Sequence, residues 1–384
     1  MDKLKDILRQ RETDGLLRTL KPADWRRDGV ICRDGAQFVD FSSNDYLGLA
    51  DHPKLRQAAK DALDEFGTGA AASRLLSGDL RITHLLEQAT ARFKGKEAAL
   101  VFNSGYHANV GIISALCSNA DAVFADRLAH ASILDGVALS GAKLFRFAHN
   151  NTEHLESLLK KTPGDFSAKL IVTESVFSMD GDSPPLKQLV ELKEKYGCRM
   201  LVDEAHATGI FGHDGSGLIA QDGLVDHVEL VMGTFSKALG SFGGYVAASR
   251  SIIDYLINTA RSFIYSTALP PAVIAANLAA LEVVKTESFR RTALLESAAF
   301  LRNALAAKGL EVKGNSQIMP LVVGDAKAAI EMSRRLQEEG FWVLPVRPPT
   351  VPPNQARLRF SLNFGHKHCD LQRLIDQIQE AVRV

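Results

Sequence analysis

The sequence predicts an α/β protein, with a large domain built on a mostly parallel seven-stranded sheet and a smaller C-terminal α+β domain. The first observation is that seven short apolar runs alternate with helical stretches between residues 98 and 248. The runs are 98–102, 122–125, 144–147, 170–173, 200–202, 230–232 and 245–248. Because the runs are apolar nearly throughout, they predict strands that helices cover on both faces.

The N-terminal residues predict an arm that precedes this pattern. Leu4, Ile7 and Leu8 share one face of a helix that Gly15 interrupts. The run 37–41 then alternates apolar and polar residues, as a strand does.

Helix boundaries and the C-terminal pattern complete the predicted order. Pro184 and Pro185 mark the start of one helix between the runs, and Gly197 marks its end. After residue 285, two long charged helical segments flank two short strands, which is typical of an α+β domain. The helices are predicted at about 286–308 and 326–339, and the strands at 319–323 and 358–361. The predicted division is an arm at 1–43, a large domain at 44–284 and a small domain at 285–384.

Composition excludes several broad classes of function. Lysine plus arginine equals aspartate plus glutamate, at 45 each, so bulk binding to nucleic acid or to an anionic membrane is not expected. No run of about 18 apolar residues predicts a membrane-spanning helix, and the charged residues 1–6 do not resemble a secretory signal. Four widely spaced cysteines without a C-x-x-C pair predict reduced thiols in a cytoplasmic protein.

Lys237 is the first candidate for chemistry. It follows an apolar run, in a segment of small residues between Gly233 and Gly240. Residues after the strands of an open α/β sheet line the crevice where ligands bind. On its own Lys237 is more typical of a surface lysine, but Thr234 and Ser236 favour a site where hydroxyls hold a phosphate and the amine holds a carbonyl.

A carboxylate and a histidine follow the preceding apolar run. Asp203 lies at the end of the run 200–202, where a buried carboxylate is costly unless it is paired. A protonated pyridine nitrogen is a suitable partner, because the ion pair lets the ring accept carbanion electrons. His206 comes three residues later, where a turn brings its ring towards the phenolate oxygen of such a cofactor.

Other enzyme classes with similar motifs lack their essential groups. Residues 203–206 also spell the DEAH box of helicases, but the Gly-Lys pair at 95–96 lacks both the first glycine and the hydroxyl residue of a phosphate-binding loop. Thr234 to Lys237 has the spacing of the S-x-x-K of acylating hydrolases, with threonine in place of the nucleophilic serine. No metal site is predicted.

Further candidates follow other strands of the predicted sheet. The N–H groups of Gly105 and Tyr106, at a predicted helix start, form an anion site suited to a phosphate, although such a glycine is also common for packing. His130 can lie flat on a pyridine ring, although a lone histidine is more often structural. Ser178 can donate to the phenolate or close a turn.

Two arginines lie in the predicted small domain. Arg357 and Arg359 face the same side of a strand by alternation. An arginine fork binds both oxygens of a carboxylate. One of the two is expected to be functional and the other can lie on the surface; the residue types do not choose between them.

Taken together, these segments closely resemble the α-oxoamine synthases, over essentially the whole chain. The resemblance is carried by Lys237 and by the stretches SSNDYLGL at 42–49, FSMDGD at 177–182, DEAHATG at 203–209 and RPPTVP at 347–352. It implies a pyridoxal 5'-phosphate enzyme of the type I transferase fold. It also implies a homodimer with active sites at the subunit interface, with residues 265–271 reaching towards the partner's phosphate.

The resemblance implies a role for each matching residue. Lys237 is implied as the Schiff-base lysine and the base, with His130 and Asp203 beside it in catalysis. The implied cofactor-binding residues are Lys237, Gly105, Tyr106, His130, Ser178, Asp203, His206 and Thr234. The implied substrate-binding residues are Arg18, Asn44, His130, Thr350 and Arg359, with Arg359 on the amino-acid carboxylate and Arg18 and Thr350 on the acyl substrate.

Within the family, residues 17–22 and the RPPTVP stretch favour a decarboxylating C-acyltransferase of biotin biosynthesis. That reaction joins L-alanine to a pimeloyl thioester, carried by coenzyme A or by a carrier protein. The alternatives are a sister enzyme that uses glycine with acetyl-CoA or serine with a palmitoyl thioester, and a conventional aminotransferase that needs no thioester.

Overall fold

The computed structural model describes residues 2–162, 164–310 and 312–383. The strands are β1 Trp25–Arg27, β2 Val30–Arg33, β3 Ala36–Asp40, β4 Ala98–Phe102, β5 Ala122–Asp126, β6 Lys143–Phe147, β7 Lys169–Glu174, β8 Arg199–Asp203, β9 Leu230–Thr234, β10 Gly244–Ala248, β11 Ile318–Gly324, β12 Phe341–Trp342, β13 Pro345–Val346 and β14 Ala356–Ser361. The helices are α1 Asp2–Thr13, α2 Pro53–Phe66, α3 Arg81–Lys94, α4 Gly105–Leu116, α5 Ala131–Ser140, α6 Thr152–Lys161, α7 Leu186–Lys195, α8 Leu218–Gln221, α9 Arg250–Thr259, α10 Arg261–Ile264, α11 Pro271–Thr286, α12 Phe289–Ala307, α13 Ala326–Glu338 and α14 His368–Arg383, and a 3-10 helix covers Val225–His227.

The larger of two compact units comprises Leu49–Phe177 and Ser183–Arg291. It is built on a seven-stranded sheet in the order β4-β10-β9-β8-β7-β5-β6. Strand β10 is antiparallel to β4 and β9, and the other pairs are parallel. All residues of β4, β5, β9 and β10 are buried, as expected for strands with helices on both faces.

This strand order brings several chain segments to one edge of the sheet. Strands β5, β7, β8 and β9 are parallel, and β4 runs in the same direction because both β4 and β9 oppose β10. Their carboxyl ends therefore meet at one edge, where ligands of α/β sheets bind. The residues that end these strands are Phe102, Asp126, Glu174, Asp203 and Thr234.

Two glycines permit close backbone approach near this edge. A Cβ on Gly244 would lie 2.6 Å from the backbone nitrogen of Gly105, where α4 begins. Gly240, with φ of +65°, follows Lys237, and a Cβ there would lie 2.5 Å from the nitrogen of Ala50. Only a residue without a side chain fits either position.

The smaller unit comprises Met1–Gly48, Ser178–Asp182 and Thr292–Val384. It contains a sheet in the order β1-β2-β3-β12 and another in the order β11-β14-β13. Phe41 packs between them, with its ring centroid 6.2 Å from that of Phe341 and 6.0 Å from that of Phe360. Because β3 pairs with β12, the N-terminal arm shares a sheet with C-terminal residues.

The structure confirms the predicted fold class. Each of the seven apolar runs forms a strand of one mostly parallel sheet. The helix predicted from 286 begins at Phe289, because α11 extends to Thr286 and the chain turns between them. By its contacts the arm falls in the same compact unit as the C-terminal residues. None of the described helices combines the length and the hydropathy needed to cross a bilayer.

Candidate active site

Lys237 and His206 lie together at the carboxyl edge of the large sheet. Lys237 stands in the turn after β9, which hydrogen bonds from Phe235 N to Gly243 O (3.0 Å) and from Gly240 N to Lys237 O (2.9 Å) hold in place. Its half-buried Nζ lies 2.8 Å from Nε2 of His206, in the turn after β8. The structure thus brings the predicted amine and imidazole into direct contact.

Asp203 is a buried carboxylate without a cationic partner in the described part of the chain. Its side chain is 5% exposed at the end of β8. Oδ1 accepts from Ala205 N at 2.8 Å, and Oδ2 accepts from Asn109 Nδ2 at 2.9 Å. Both partners are neutral, so the negative charge is held but not compensated. A protonated ring nitrogen would supply the missing positive charge, and this donor set fits that group.

A second buried pair fixes the turn that carries Asp203 and His206. Glu204 Oε2 lies 2.8 Å from Lys94 Nζ, with side-chain exposures of 1% and 2%. Glu204 Oε1 accepts from Ile219 N at 3.0 Å, and Lys94 also donates to Thr208 Oγ1 at 3.0 Å. A fully bonded buried ion pair resists displacement of either partner, so this turn has a defined conformation.

His130 begins α5 and has its ring nitrogen turned into the protein. Nδ1 accepts from Ser132 N at 3.3 Å and lies 2.8 Å from Ser132 Oγ. The residue as a whole is exposed. Shielding by the surrounding protein lowers the pKa of His130. The negative charge of Asp203 raises this pKa, and the positive charge of Lys237 lowers it. The ring is therefore neutral at neutral pH.

Glu174 is a further carboxyl group at this edge, at the end of β7. It is 2% exposed, and its Oε1 has no partner among the described residues. Burial raises the pKa of Glu174 well above its usual range, and the charge of Asp203 raises it further. The positive charge of Lys237 acts in the opposite direction and lowers it.

We expect Glu174→Gln to change the pH dependence of stability. A carboxyl group whose pKa is raised by folding stabilises the protein fully below its unfolded pKa, and this contribution is lost as pH rises through the folded pKa. Glutamine has no such loss, so the stability of the variant relative to wild type should grow with pH, by about 1.4 kcal/mol for each unit separating the folded and unfolded pKa.

The measurement is the thermal midpoint of both proteins, without added cofactor, at several values between about pH 4 and pH 8. Glu191→Gln, on the exposed face of α7, is the matched control and should leave the pH trend unchanged. Parallel pH curves for wild type and Glu174→Gln would show that Glu174 is ionised in the folded protein.

The start of α4 provides unsatisfied donors. Ser104 caps the helix by accepting from His107 N at 3.2 Å, and no acceptor for the N–H groups of Gly105 and Tyr106 occurs among the described residues. Such groups bind anions. The Tyr106 side chain turns away and donates to Asp135 Oδ2 at 2.5 Å. The backbone at this position therefore suits a phosphate.

Thr234 ends β9 with its hydroxyl inside the turn. Oγ1 lies 2.7 Å from Ser236 Oγ and donates to Gly243 O at 2.6 Å. It also accepts from Ser236 N at 3.1 Å. These bonds give Thr234 a turn-closing role, and its contact with a phosphate stays a prediction.

In the smaller unit, Arg359 is a buried cation surrounded by neutral groups. Its Nη1 and Nη2 donate to Asn44 Oδ1 at 3.1 and 3.2 Å, and Nη2 also donates to Tyr46 Oη at 3.1 Å. Nε donates to Ser178 O at 2.5 Å, and Nη1 to Ser361 Oγ at 2.6 Å. No carboxylate among the described residues pairs with Arg359, so its charge is available to an anionic ligand.

Arg357 differs from Arg359 by being neutralised. Its Nη1 lies 2.8 Å from Asp180 Oδ1, and its Nε donates to Gln355 O at 3.1 Å. Arg357 and Arg359 are 3% and 8% exposed, so the expectation that one of them can lie on the surface is wrong. Both lie on one side of β14, as the alternation predicts, and every residue of this strand is buried.

Arg18 and Thr350 also meet within the smaller unit. Arg18 Nη2 donates to Thr350 Oγ1 at 3.3 Å, and both residues are exposed. Arg347 holds the segment before Arg18 by donating to the carbonyl oxygens of Gly15 and, at 3.3 Å, of Leu17.

The sequence did not single out four residues that the geometry brings to these sites. They are Asn109, Ser132, Glu174 and Tyr46. Glu174 carried a usable signal, because it ends an apolar run just as Asp203 does. The other three have ordinary polar side chains inside helices or loops, and only their contacts distinguish them.

The chain is similar to known proteins over nearly its whole length. Residues 36–378 match the family model described as aminotransferase class I and II. The chain is 49% identical to the 8-amino-7-oxononanoate synthase of Geobacter sulfurreducens, over 96% of this chain and 95% of that protein. The serine palmitoyltransferase of Sphingomonas wittichii superposes with a TM-score of 0.94 at 32% identity, covering 99% of this chain and 97% of that one. The 8-amino-7-oxononanoate synthase of Francisella tularensis gives 0.79 at 32% identity, over 90% and 98%.

Proposed function

This chain belongs to the aminotransferase class I and II family and, within it, to the 8-amino-7-oxononanoate synthases, and from that premise we propose that it joins L-alanine to a pimeloyl thioester with loss of carbon dioxide. The observation that carries the choice of chemistry is Asp203, a buried carboxylate whose partners in the described chain are all neutral. The near-complete match at 49% identity supports the choice of substrates.

The cofactor is pyridoxal phosphate, which a solved serine palmitoyltransferase of the same fold also carries. When bound, it supplies an electron sink that lets the α-carbon of an amino acid lose a proton. Asp203 would hold the ring nitrogen, and Lys237 the carbonyl carbon. The N–H groups of Gly105 and Tyr106 would hold the phosphate, with Thr234 beside them. We assign the face of the ring to His130, and the phenolic oxygen to His206 and Ser178.

Lys237 is assigned the proton transfers at the α-carbon. Its Nζ can accept the proton that leaves the α-carbon and can later return a proton to the same carbon. One amine at the end of a flexible side chain can reach that carbon for both transfers. The 2.8 Å contact with His206 Nε2 supports this role, since it directs the amine and offers a partner for the proton.

Arg359 is assigned the carboxylate of the amino acid. Asn44, Tyr46 and the carbonyl of Ser178 fix the guanidinium from three sides without neutralising it. Orienting the carboxylate also orients the carbon–carbon bond that breaks when carbon dioxide leaves. The α-carbon forms its new bond to the acyl carbonyl, the carbon–sulfur bond breaks to release the thiol, and a proton returns to the carbon.

We assign the acyl substrate to Arg18 and Thr350, which their 3.3 Å contact on the exposed face of the smaller unit supports. These two residues do not distinguish coenzyme A from a carrier protein as the carrier of the acyl group. We therefore propose that pimeloyl-CoA and a pimeloyl carrier protein both be tested as acyl donors.

We also propose a homodimer. Large apolar side chains on the larger unit are exposed, and an exposed apolar surface of a biosynthetic enzyme is typical of an interface. Examples are Leu75 at 51%, Leu76 at 78% and Tyr265 at 72%. Light scattering should give twice the 41.8 kDa of one chain, and a monomer at micromolar concentration would contradict this.

The test of the reaction is a substrate comparison with the purified, cofactor-loaded protein. We expect L-alanine with pimeloyl-CoA, or with a pimeloyl carrier protein, to release one free thiol for each carbon dioxide. Glycine with acetyl-CoA and L-serine with palmitoyl-CoA should give rates lower by about 10²-fold or more, since family members discriminate by shaped pockets.

Each alternative has its own outcome in this comparison. Fastest turnover of glycine would assign the chain to a sister acyltransferase with the same residues. Conversion of an amino acid and an oxo acid without any thiol release would identify an aminotransferase. Either result would leave the assignments of Lys237 and Asp203 intact and overturn the choice of substrates.

A further inference from the structure

Four polar side chains of the larger unit form one continuous chain of hydrogen bonds. His130 Nδ1 lies 2.8 Å from Ser132 Oγ, and Ser132 Oγ lies 3.0 Å from Asn109 Nδ2. Asn109 Nδ2 lies 2.9 Å from Asp203 Oδ2. Asn109 and Ser132 are 1% and 0% exposed, so water does not compete for these bonds. The chain joins the histidine that begins α5 to the carboxylate that ends β8.

The protein backbone fixes the direction of each bond. The Ser132 N–H donates to His130 Nδ1, so Nδ1 presents a lone pair and carries no proton. The Ser132 hydroxyl then donates to Nδ1 as well, which leaves Ser132 Oγ to accept from Asn109. An amide nitrogen has two protons and no acceptor. Asn109 Nδ2 therefore donates one hydrogen bond to Ser132 Oγ and the other to Asp203, whose carboxylate can only accept.

We propose that Asn109 and Ser132 are positioning residues that hold His130 as the neutral tautomer with its proton on Nε2 and hold Asp203 as an oriented carboxylate. The side-chain amide of Asn109 connects the two, because it donates to both Ser132 and Asp203. If Nδ1 were protonated, it would face the Ser132 N–H directly, which the hydrogen-bonded start of α5 does not permit. If Asp203 were protonated, Oδ2 would be a poorer acceptor for Asn109.

Charged groups face His130 from several elements. Asp203 on β8 and Asp135 on α5 favour its protonated form, whereas Lys237 after β9 opposes it. The carboxyl group of Glu174 on β7 accepts from the backbone N–H of His130, not from its ring. The donors from Ser132 add to the shielding of the ring and favour the neutral form. The charges of Asp203, Asp135 and Lys237 and the carboxyl group of Glu174 are present in every variant below, so a change reports on the hydrogen bonds.

The consequence for catalysis rests on the proposed function. With Nδ1 fixed inward, His130 presents Nε2–H as a donor on the exposed side of the ring. With Oδ2 held by Asn109 and Oδ1 by Ala205, Asp203 presents its remaining lone pairs to a ring nitrogen. The tautomer itself is a property of the chain and does not depend on which substrates are used.

The test is a pH titration of His130 by NMR, on the full chain labelled with 15N-histidine, with and without pyridoxal phosphate. His130→Gln assigns the signal among the 11 histidines. We expect the wild-type ring to show an unprotonated Nδ1 and a protonated Nε2. Ser132→Ala should raise the pKa of His130 by about half a unit to one unit, as expected for loss of one hydrogen bond, while the backbone N–H that remains should keep Nδ1 unprotonated.

Asn109→Ala tests the connection from the other end. It should shift the His130 signal in the same direction as Ser132→Ala although Asn109 does not touch the ring, and the double variant should equal Ser132→Ala alone. It should also weaken pyridoxal phosphate binding by about 5-fold or more, because Asp203 loses a charge-assisted bond. If Ser132→Ala does not fold, Asn109→Ala still decides the proposal.

The controls separate a positioning role from loss of structure. Ser132→Thr keeps the hydroxyl and should behave as wild type. Ser140→Ala removes a hydroxyl from the same helix that donates to Val137 O and accepts from Ala142 N, and it should leave the His130 signal unchanged. A wild-type ring protonated on Nδ1, or a Ser132→Ala spectrum identical to wild type, would overturn the proposal. If the pKa of His130 shifted in Ser132→Ala but not in Asn109→Ala, His130 would be coupled to Ser132 alone. That result would overturn the proposed link between His130 and Asp203.

Discussion

Replacement of Lys237 by alanine is expected to abolish turnover, with a loss of about 10³-fold or more, since a positioned general base alone contributes about 10²–10⁴-fold. The variant lacks both the amine that would carry the cofactor and the base that would move the α-proton. Its visible absorbance with pyridoxal phosphate should match that of the free cofactor rather than of a lysine adduct. The measurement is thiol release from pimeloyl-CoA together with the absorbance spectrum.

Two further variants make the Lys237 result specific. Lys237→Arg keeps a positive charge beside His206 but cannot form the adduct, so it should be as inactive as the alanine variant. Lys187→Ala, on the exposed face of α7, should retain wild-type turnover and spectrum. A wild-type spectrum in Lys237→Ala would remove Lys237 from its assigned role and point to another lysine.

Replacement of Asp203 by asparagine should lower turnover by about 10²–10³-fold, comparable to the loss of one preorganised electrostatic group in other active sites. The substitution keeps the size of the side chain but removes the only charge that can hold a ring nitrogen protonated at this strand end. The first step can be measured alone, as exchange of the α-proton of L-alanine with deuterated solvent in the absence of thioester. Exchange should slow in proportion to turnover.

The matched variants for Asp203 vary charge and position separately. Asp203→Glu keeps the charge and should retain more exchange activity than Asp203→Asn. Asp226→Asn removes a carboxylate from an exposed 3-10 helix and should have no effect. Undiminished exchange in Asp203→Asn would show that the carboxylate serves the fold and not the reaction.

The candidate site was predictable from sequence wherever a functional residue ends an apolar run. Lys237 and Asp203 follow buried strands, and the parallel order of those strands brings their ends together. The two arginines of β14 were not separable in this way, although their alternation was correct. Arg357 is neutralised by Asp180 and Arg359 is not, and these contacts span 177 residues for Arg357 and 315 for the bond from Arg359 to Asn44.

The hydrogen-bonded side chains of Asn109 and Glu174 also show that contacts between distant residues cannot be read from the sequence. Asn109 lies 94 residues before Asp203, and its role depends on the contact of its side chain with the end of β8. In the sequence it is an ordinary helical asparagine. Glu174 is the exception, because its position at a strand end is visible in the sequence even though its unpaired oxygen is not.

Apolar periodicity and the residues that interrupt it were therefore enough to define the sheet, its helices and the two principal groups of the site, since burial acts on every residue of a strand and leaves a local pattern. Compensation of charge leaves no such pattern, because it depends on which distant groups lie within about 3 Å of each other. The tertiary structure alone decided that Asp203 and Arg359 have neutral hydrogen-bond partners among the described residues, while Glu204 and Arg357 form ion pairs within the protein.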